Sequence, residues 1–68
     1  MLGLISKVEK NGRYGFIKYG HNQEIFFPIA NVIGIIKNYL CPGLRVSFDV
    51  IKGNKGMPVA RNIEMITD

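Results

Sequence analysis

Turn signals built on glycine interrupt this chain at short intervals, which favours short strands joined by tight connections. Asn11-Gly12, Gly20-His21-Asn22, Pro42-Gly43 and the run Gly53-Asn54-Lys55-Gly56 each read as a turn. Gly and Asn tolerate the positive φ that tight turns demand, and Pro fixes the other turn dihedral in advance. Five strand-sized segments remain, near 2–10, 13–19, 23–29, 44–52 and 58–66. The clearest alternation is Leu44, Val46, Phe48 and Val50 against Arg45, Ser47 and Asp49, a period of two that buries one face and wets the other. In the second segment Gly15, Ile17 and Tyr19 share a face, and Tyr14, Phe16 and Lys18 share the opposite one. In the third, Ile25, Phe27 and Ile29 oppose Glu24, Phe26 and Pro28, so that both faces carry apolar groups and Phe27 belongs to the core. Three strands joined by short turns form a meander. Two more after a long connection close it, which removes the free sheet edges that would invite aggregation. The expectation is an all-β, five-stranded antiparallel Greek-key barrel.

A length of 68 residues allows one domain, spanning 1–68, because a chain this short buries only about 60% of its unfolded surface. The longest apolar stretch, Ile25 to Ile36, is broken by Pro28 and Asn31 and falls short of a membrane span. No basic segment precedes a continuous apolar run at the amino terminus, so the cytoplasm is the expected address. Cys41 is the only cysteine and cannot staple the fold. The formal charge of +4 on so small a surface favours polyanionic partners, and neither a membrane nor a small-molecule substrate is expected.

The order of residues resembles the cold-shock domain, a barrel of the oligonucleotide-binding (OB-fold) type, over nearly the whole chain. That family opens with Gly, two residues, then Lys-Trp-Phe-Asn and, four residues later, Phe-Gly-Phe-Ile. Here Gly3 starts the same count and Tyr14-Gly15-Phe16-Ile17 ends it. Its second motif, Asp-Val-Phe-Val-His-Phe-Ser-Ala-Ile, lines up with Glu24 to Val32. Gly43 followed by Val46, Phe48 and Val50 looks like the fourth strand, Ala60-Arg61-Asn62-Ile63 looks like the fifth, and Met57 is one inserted residue. The resemblance implies a protein that binds single-stranded RNA or DNA, with no cofactor and no metal, by stacking bases on an exposed aromatic platform. Roles as an RNA chaperone or a regulator of transcription or translation follow from the same resemblance.

The platform differs from the family pattern. Lys7 stands at the Trp position, Pro28 at the His position, Ile29 at the next Phe position and Lys37 at the loop Phe position, while Tyr14, Phe16 and Phe26 keep rings. The expected stacking residues are therefore Tyr14, Phe16 and Phe26, and the expected phosphate contacts are Lys7, Arg13, Lys18 and Lys37. Each has a plainer alternative: barrel aromatics for the rings, a solvated surface for the cations.

Three further features bear on function. The segment 32–40 holds Ile33, Ile35, Ile36, Tyr39 and Leu40, which either cover the barrel end or form a self-association surface, giving a homodimer or a module converted to protein–protein contacts. His21 lies in a turn with no cysteine or second histidine to complete a metal site. The carboxylates Glu9, Glu24, Asp49, Glu64 and Asp68 show no catalytic pairing, and no histidine is placed to activate Cys41, so no catalytic residue is expected.

Overall fold

The computed structural model describes residues 1–34 and 39–66. Five strands form: β1 (Leu2–Val8), β2 (Tyr14–Tyr19), β3 (Gln23–Pro28), β4 (Arg45–Lys52) and β5 (Pro58–Met65). Each lies within two residues of a segment set by the turn signals. They close into a barrel in the order β1-β2-β3-β5-β4, with β4 returning to β1. Neighbours run antiparallel except at the seam where β3 meets β5, a parallel contact with the single pair Phe26–Val59. Short 3₁₀ turns follow β3 at Ile29–Asn31 and precede β5 at Asn54–Gly56.

The inward face follows from alternation. Ile17 and Gly15 on β2, Ile25 and Phe27 on β3, and Val46 and Phe48 on β4 point to the axis, joined by Ile5, Ile29, Leu40, Ala60 and Ile63. Gly15 has no side chain because none fits. A Cβ there would lie 2.5 Å from the Lys7 carbonyl oxygen and 2.8 Å from Cζ of Phe27, whose ring occupies that space.

Val50 departs from the expectation that it is buried with Val46 and Phe48: it is 41% exposed. The strand keeps its alternation, but β1 pairs with β4 only from Leu2–Ser47 to Leu4–Arg45. Beyond Phe48 no strand pairs with that edge of β4 among the described residues, so a residue of the inward set emerges at the barrel rim. The apolar segment 32–40 divides. Leu40 is buried and Val32 packs against the core, whereas Ile33 and Tyr39 are exposed. Ile35, Ile36 and Lys37, expected from sequence to cover the barrel, self-associate or bind phosphate, lie outside the described residues.

Two bulges break the pleat. Between the pairs Ile5–Ile17 and Lys7–Phe16 the chain takes two steps on β1 against one on β2, so Ser6 is the extra residue. On β5, Ser47–Glu64 and Asp49–Arg61 bracket an extra residue, and Asn62 sits there with φ 54°. That step lets Ala60 and Ile63, three positions apart, both face the core. The Asn62 side-chain amide donates to Asp49 Oδ2 at 3.0 Å, which anchors the bulge. Asn62→Ala places a Cβ-bearing residue without the amide in a left-handed conformation, at a cost of about 1 kcal/mol. The expected drop in melting temperature is about 4–8 °C, with Asn62→Gly falling less, as thermal unfolding followed by circular dichroism would read.

Candidate nucleic-acid interface

Paired residues on neighbouring strands share a face, so the outward surface of β1, β2 and β3 is a set of rows. Leu4, Lys18 and Glu24 make one row; Lys7, Phe16 and Phe26 make the next; Tyr14 and Pro28 make a third. The Ser6 bulge decides the position of Lys7. Without it Lys7 would follow Ile5 into the core; with it the ammonium stands beside Phe16.

The three rings singled out from sequence come together. Tyr14 and Phe26 have centroids 5.5 Å apart, Phe16 and Phe26 6.0 Å, and Tyr14 and Phe16 6.1 Å. Their planes are steeply inclined, by 81° for Tyr14 and Phe16 and 71° for Phe16 and Phe26. In those two pairs edges meet faces, as ring quadrupoles prefer, while Tyr14 and Phe26 are tilted at 38°. The cluster is corrugated, with part of each ring spent on its neighbours: Phe26 is exposed and Tyr14 and Phe16 are half-buried.

Cations surround this cluster. Lys18 is exposed at the Glu24 end. Arg13 and Lys10 are exposed in the β1–β2 turn at the Tyr14 end, where the Arg13 backbone N–H donates to Asn11 Oδ1 at 3.0 Å. Lys7 is held by Glu9, with Nζ 3.1 Å from Oε1. That hydrogen bond, and then the charge of the same carboxylate, raises the Lys7 pKa above the ordinary lysine value, so the ammonium stays protonated throughout the neutral range. Sequence reasoning did not pair these two; the bulge leaves Lys7 and Glu9 two steps apart on an exposed strand end, which is the signal that was present. Lys37 lies outside the described residues.

The sequence places Glu24 on the outward face of the third segment, at the first position of the second motif and without a catalytic partner. Its carboxylate Oε2 accepts from the Ser6 hydroxyl at 2.7 Å, and it borders a groove at the β3–β5 seam at which no sequence pattern hints. Among the described residues no three His, Cys, Asp or Glu side chains cluster to hold a metal, and no helix is long and apolar enough to cross a membrane.

The family model described as the 'cold-shock' DNA-binding domain matches residues 1–66. The chain belongs to the cold-shock domain family. No curated protein matches it. Within that family's pattern, the ring positions of this cold-shock domain have separate fates. Tyr14, Phe16 and Phe26 point outward as a cluster. Ile29, at a ring position of the pattern, is buried in the core, and Pro28 lies opposite Tyr14 on the outer row. The outward ring cluster thus covers fewer positions than the family pattern, with Lys7 at the position of the first ring.

Proposed function

We propose that this domain binds single-stranded RNA or DNA without catalysing a reaction, stacking bases on Tyr14, Phe16 and Phe26 and placing phosphates on Lys7, Arg13 and Lys18, with Lys37 as a further candidate cation. The observation that carries the reading is the cluster of three rings on an outward face, with cations on its flanks. A core packed on the opposite face has no use for rings in that position. Stacking contributes roughly 1 to 3 kcal/mol per base, and rings that partly cover one another stay toward the lower figure. The cations make up the difference by releasing counterions from the strand.

A protein that holds the unpaired form of an RNA shifts its folding equilibrium by mass action, with no nucleotide hydrolysis. Melting of weak hairpins, the chemistry of an RNA chaperone, follows from that. The test is a titration of labelled oligouridine and oligothymidine across a salt series. About three neutralised phosphates give a slope of log affinity against log salt of about −2, so doubling the salt weakens binding about fourfold. A flat salt response together with no saturable binding would remove the proposal.

The Lys7–Glu9 pair restrains the site, because a carboxylate at 3.1 Å competes with phosphate for the ammonium. Glu9→Gln removes that competitor. Since an exposed ion pair is weak and screened by salt, the expected gain in affinity at low salt is small, on the order of two- to fivefold. The salt slope should steepen as well. Unchanged affinity in Glu9→Gln would show that Lys7 takes no part.

A further inference from the structure

The β1–β2 turn, at the Tyr14 end of the ring cluster, holds a reactive pair of residues that strand binding does not use. Asn11-Gly12 is the one Asn-Gly step in the chain; every other asparagine precedes a residue with a side chain. Asn11, Gly12 and Arg13 are all exposed. Asn11 Oδ1 accepts from the Arg13 backbone N–H at 3.0 Å, which folds the side chain forward along the turn and draws electrons from its amide carbon, Cγ. Gly12 has φ 69°, and no atom lies within 4 Å of where a Cβ would stand, so nothing on that residue hinders approach of its nitrogen to Cγ. The Gly12 N–H donates to the Glu9 carbonyl oxygen at 2.8 Å, a bond that restrains the nitrogen while the turn is closed.

We propose that Asn11 is a site of spontaneous deamidation, and that the carboxylate so formed loosens the hold of this face on a nucleic-acid strand. The inference rests on the single-strand reading above and adds to it a regulation by age. In the first step the Gly12 nitrogen bonds to Asn11 Cγ and the Cγ–Nδ2 bond breaks; the proton lost by Gly12 leaves with that nitrogen as ammonia. Water then opens the five-membered imide at one of its two carbonyl carbons. Opening at Cγ gives aspartate, and opening at the main-chain carbonyl gives isoaspartate, with the chain rerouted through the side chain. Water is consumed, ammonia is released, and nothing is oxidised. Either product sets a negative charge between Lys10 and Arg13, two exposed cations on the flank of the rings. That charge repels phosphate and pairs with the cations that would hold it. Aspartate keeps the oxygen to which Arg13 donates, so it acts through charge alone, whereas isoaspartate also lengthens the turn. Because the Glu9–Gly12 bond must open first, a strand that holds Arg13 in place slows the reaction, and idle protein ages faster than bound protein.

The whole chain is incubated in mildly alkaline buffer, with and without saturating oligouridine, and each asparagine is followed by peptide mass mapping, with isoaspartate marked by enzymatic methylation. The expected result is that Asn11 loses its amide ahead of every other asparagine and that oligouridine slows the loss. Aged protein and Asn11→Asp then bind labelled oligouridine about threefold to tenfold more weakly at low salt, with a salt slope shallower by about 0.7, the change that one lost phosphate contact produces. Asn11→Ser keeps an acceptor for the Arg13 N–H and has no amide to lose, so its affinity survives the same incubation, with circular dichroism confirming the fold of each variant. An Asn11 amide that lasts as long as the others, or unchanged affinity in Asn11→Asp, overturns the inference. Equal loss with and without oligouridine overturns the protection by a bound strand. The two readings fail differently: unchanged affinity in Asn11→Asp beside a loss in Phe16→Ala with Phe26→Ala removes the regulation and leaves the platform, and no binding of fresh protein to any oligonucleotide removes both.

Discussion

Replacing Phe16 and Phe26 together by alanine is expected to weaken binding of a short oligouridine by about thirtyfold to a thousandfold, equivalent to about 2 to 4 kcal/mol. Two stacked bases would lose their supports, and the low end of the range applies if the rings act as one unit. Their centroids are 6.0 Å apart, so the single substitutions should not add to the double. The rings point outward, so the barrel should survive. Phe16→Leu with Phe26→Leu separates the causes, since leucine keeps the apolar bulk and loses the π-face. Fluorescence anisotropy at fixed low salt reads the affinity. Full affinity in both double variants would eliminate stacking and leave only electrostatic attachment.

A second large effect is expected inside the barrel. Phe27 is fully buried, and its ring lies over Gly15 in the space a side chain would otherwise take. Phe27→Ala should cost about 3 to 5 kcal/mol. A chain of this length has a total stability of only about 3 to 10 kcal/mol. The variant should therefore lose most or all of its cooperative urea transition at 25 °C, monitored by tyrosine fluorescence because the chain has no tryptophan. Gly15→Ala attacks the same contact from the other side. Its methyl group meets the Lys7 carbonyl oxygen at 2.5 Å, a backbone atom that yields only if β1 moves, so more than the usual 1 to 3 kcal/mol of overpacking is expected. A near-native midpoint for either variant would mean the packing around Gly15 is looser than described.

Those two effects mark how far the sequence could be read. Period-two alternation correctly separated Phe27 from Phe26 and Gly15 from Phe16, because one-sided burial leaves that imprint on every central strand. It also sent Ile29 inward, where the family pattern has a ring and where the side chain is buried. Alternation failed where tertiary coverage decides. Val50 has the right parity but lies beyond the β1–β4 pairing, and the extra residues at Ser6 and Asn62 reset the parity of the residues beyond them. The ring cluster was legible because β2 and β3 are adjacent in sequence. The groove was not. Its walls are about thirty residues apart and meet only because the barrel closes there, which no local pattern records. The Lys7–Glu9 pair fell between these cases, visible as a spacing but interpretable only once the bulge set the face.

The single parallel pair at the β3–β5 seam has a consequence for how the molecule assembles. β1, β2 and β3 form one contiguous sheet through nearest-neighbour turns, and β4 with β5 form a separate hairpin. Each can nucleate from contacts close in sequence, at little loop-closure cost. The remaining event is the docking of one preformed sheet on the other, and only the β1–β4 border offers several ladder pairs to guide it. The expected slow step in making this barrel is therefore the meeting of two halves, which φ-values near zero for Phe26 and Val59 would show.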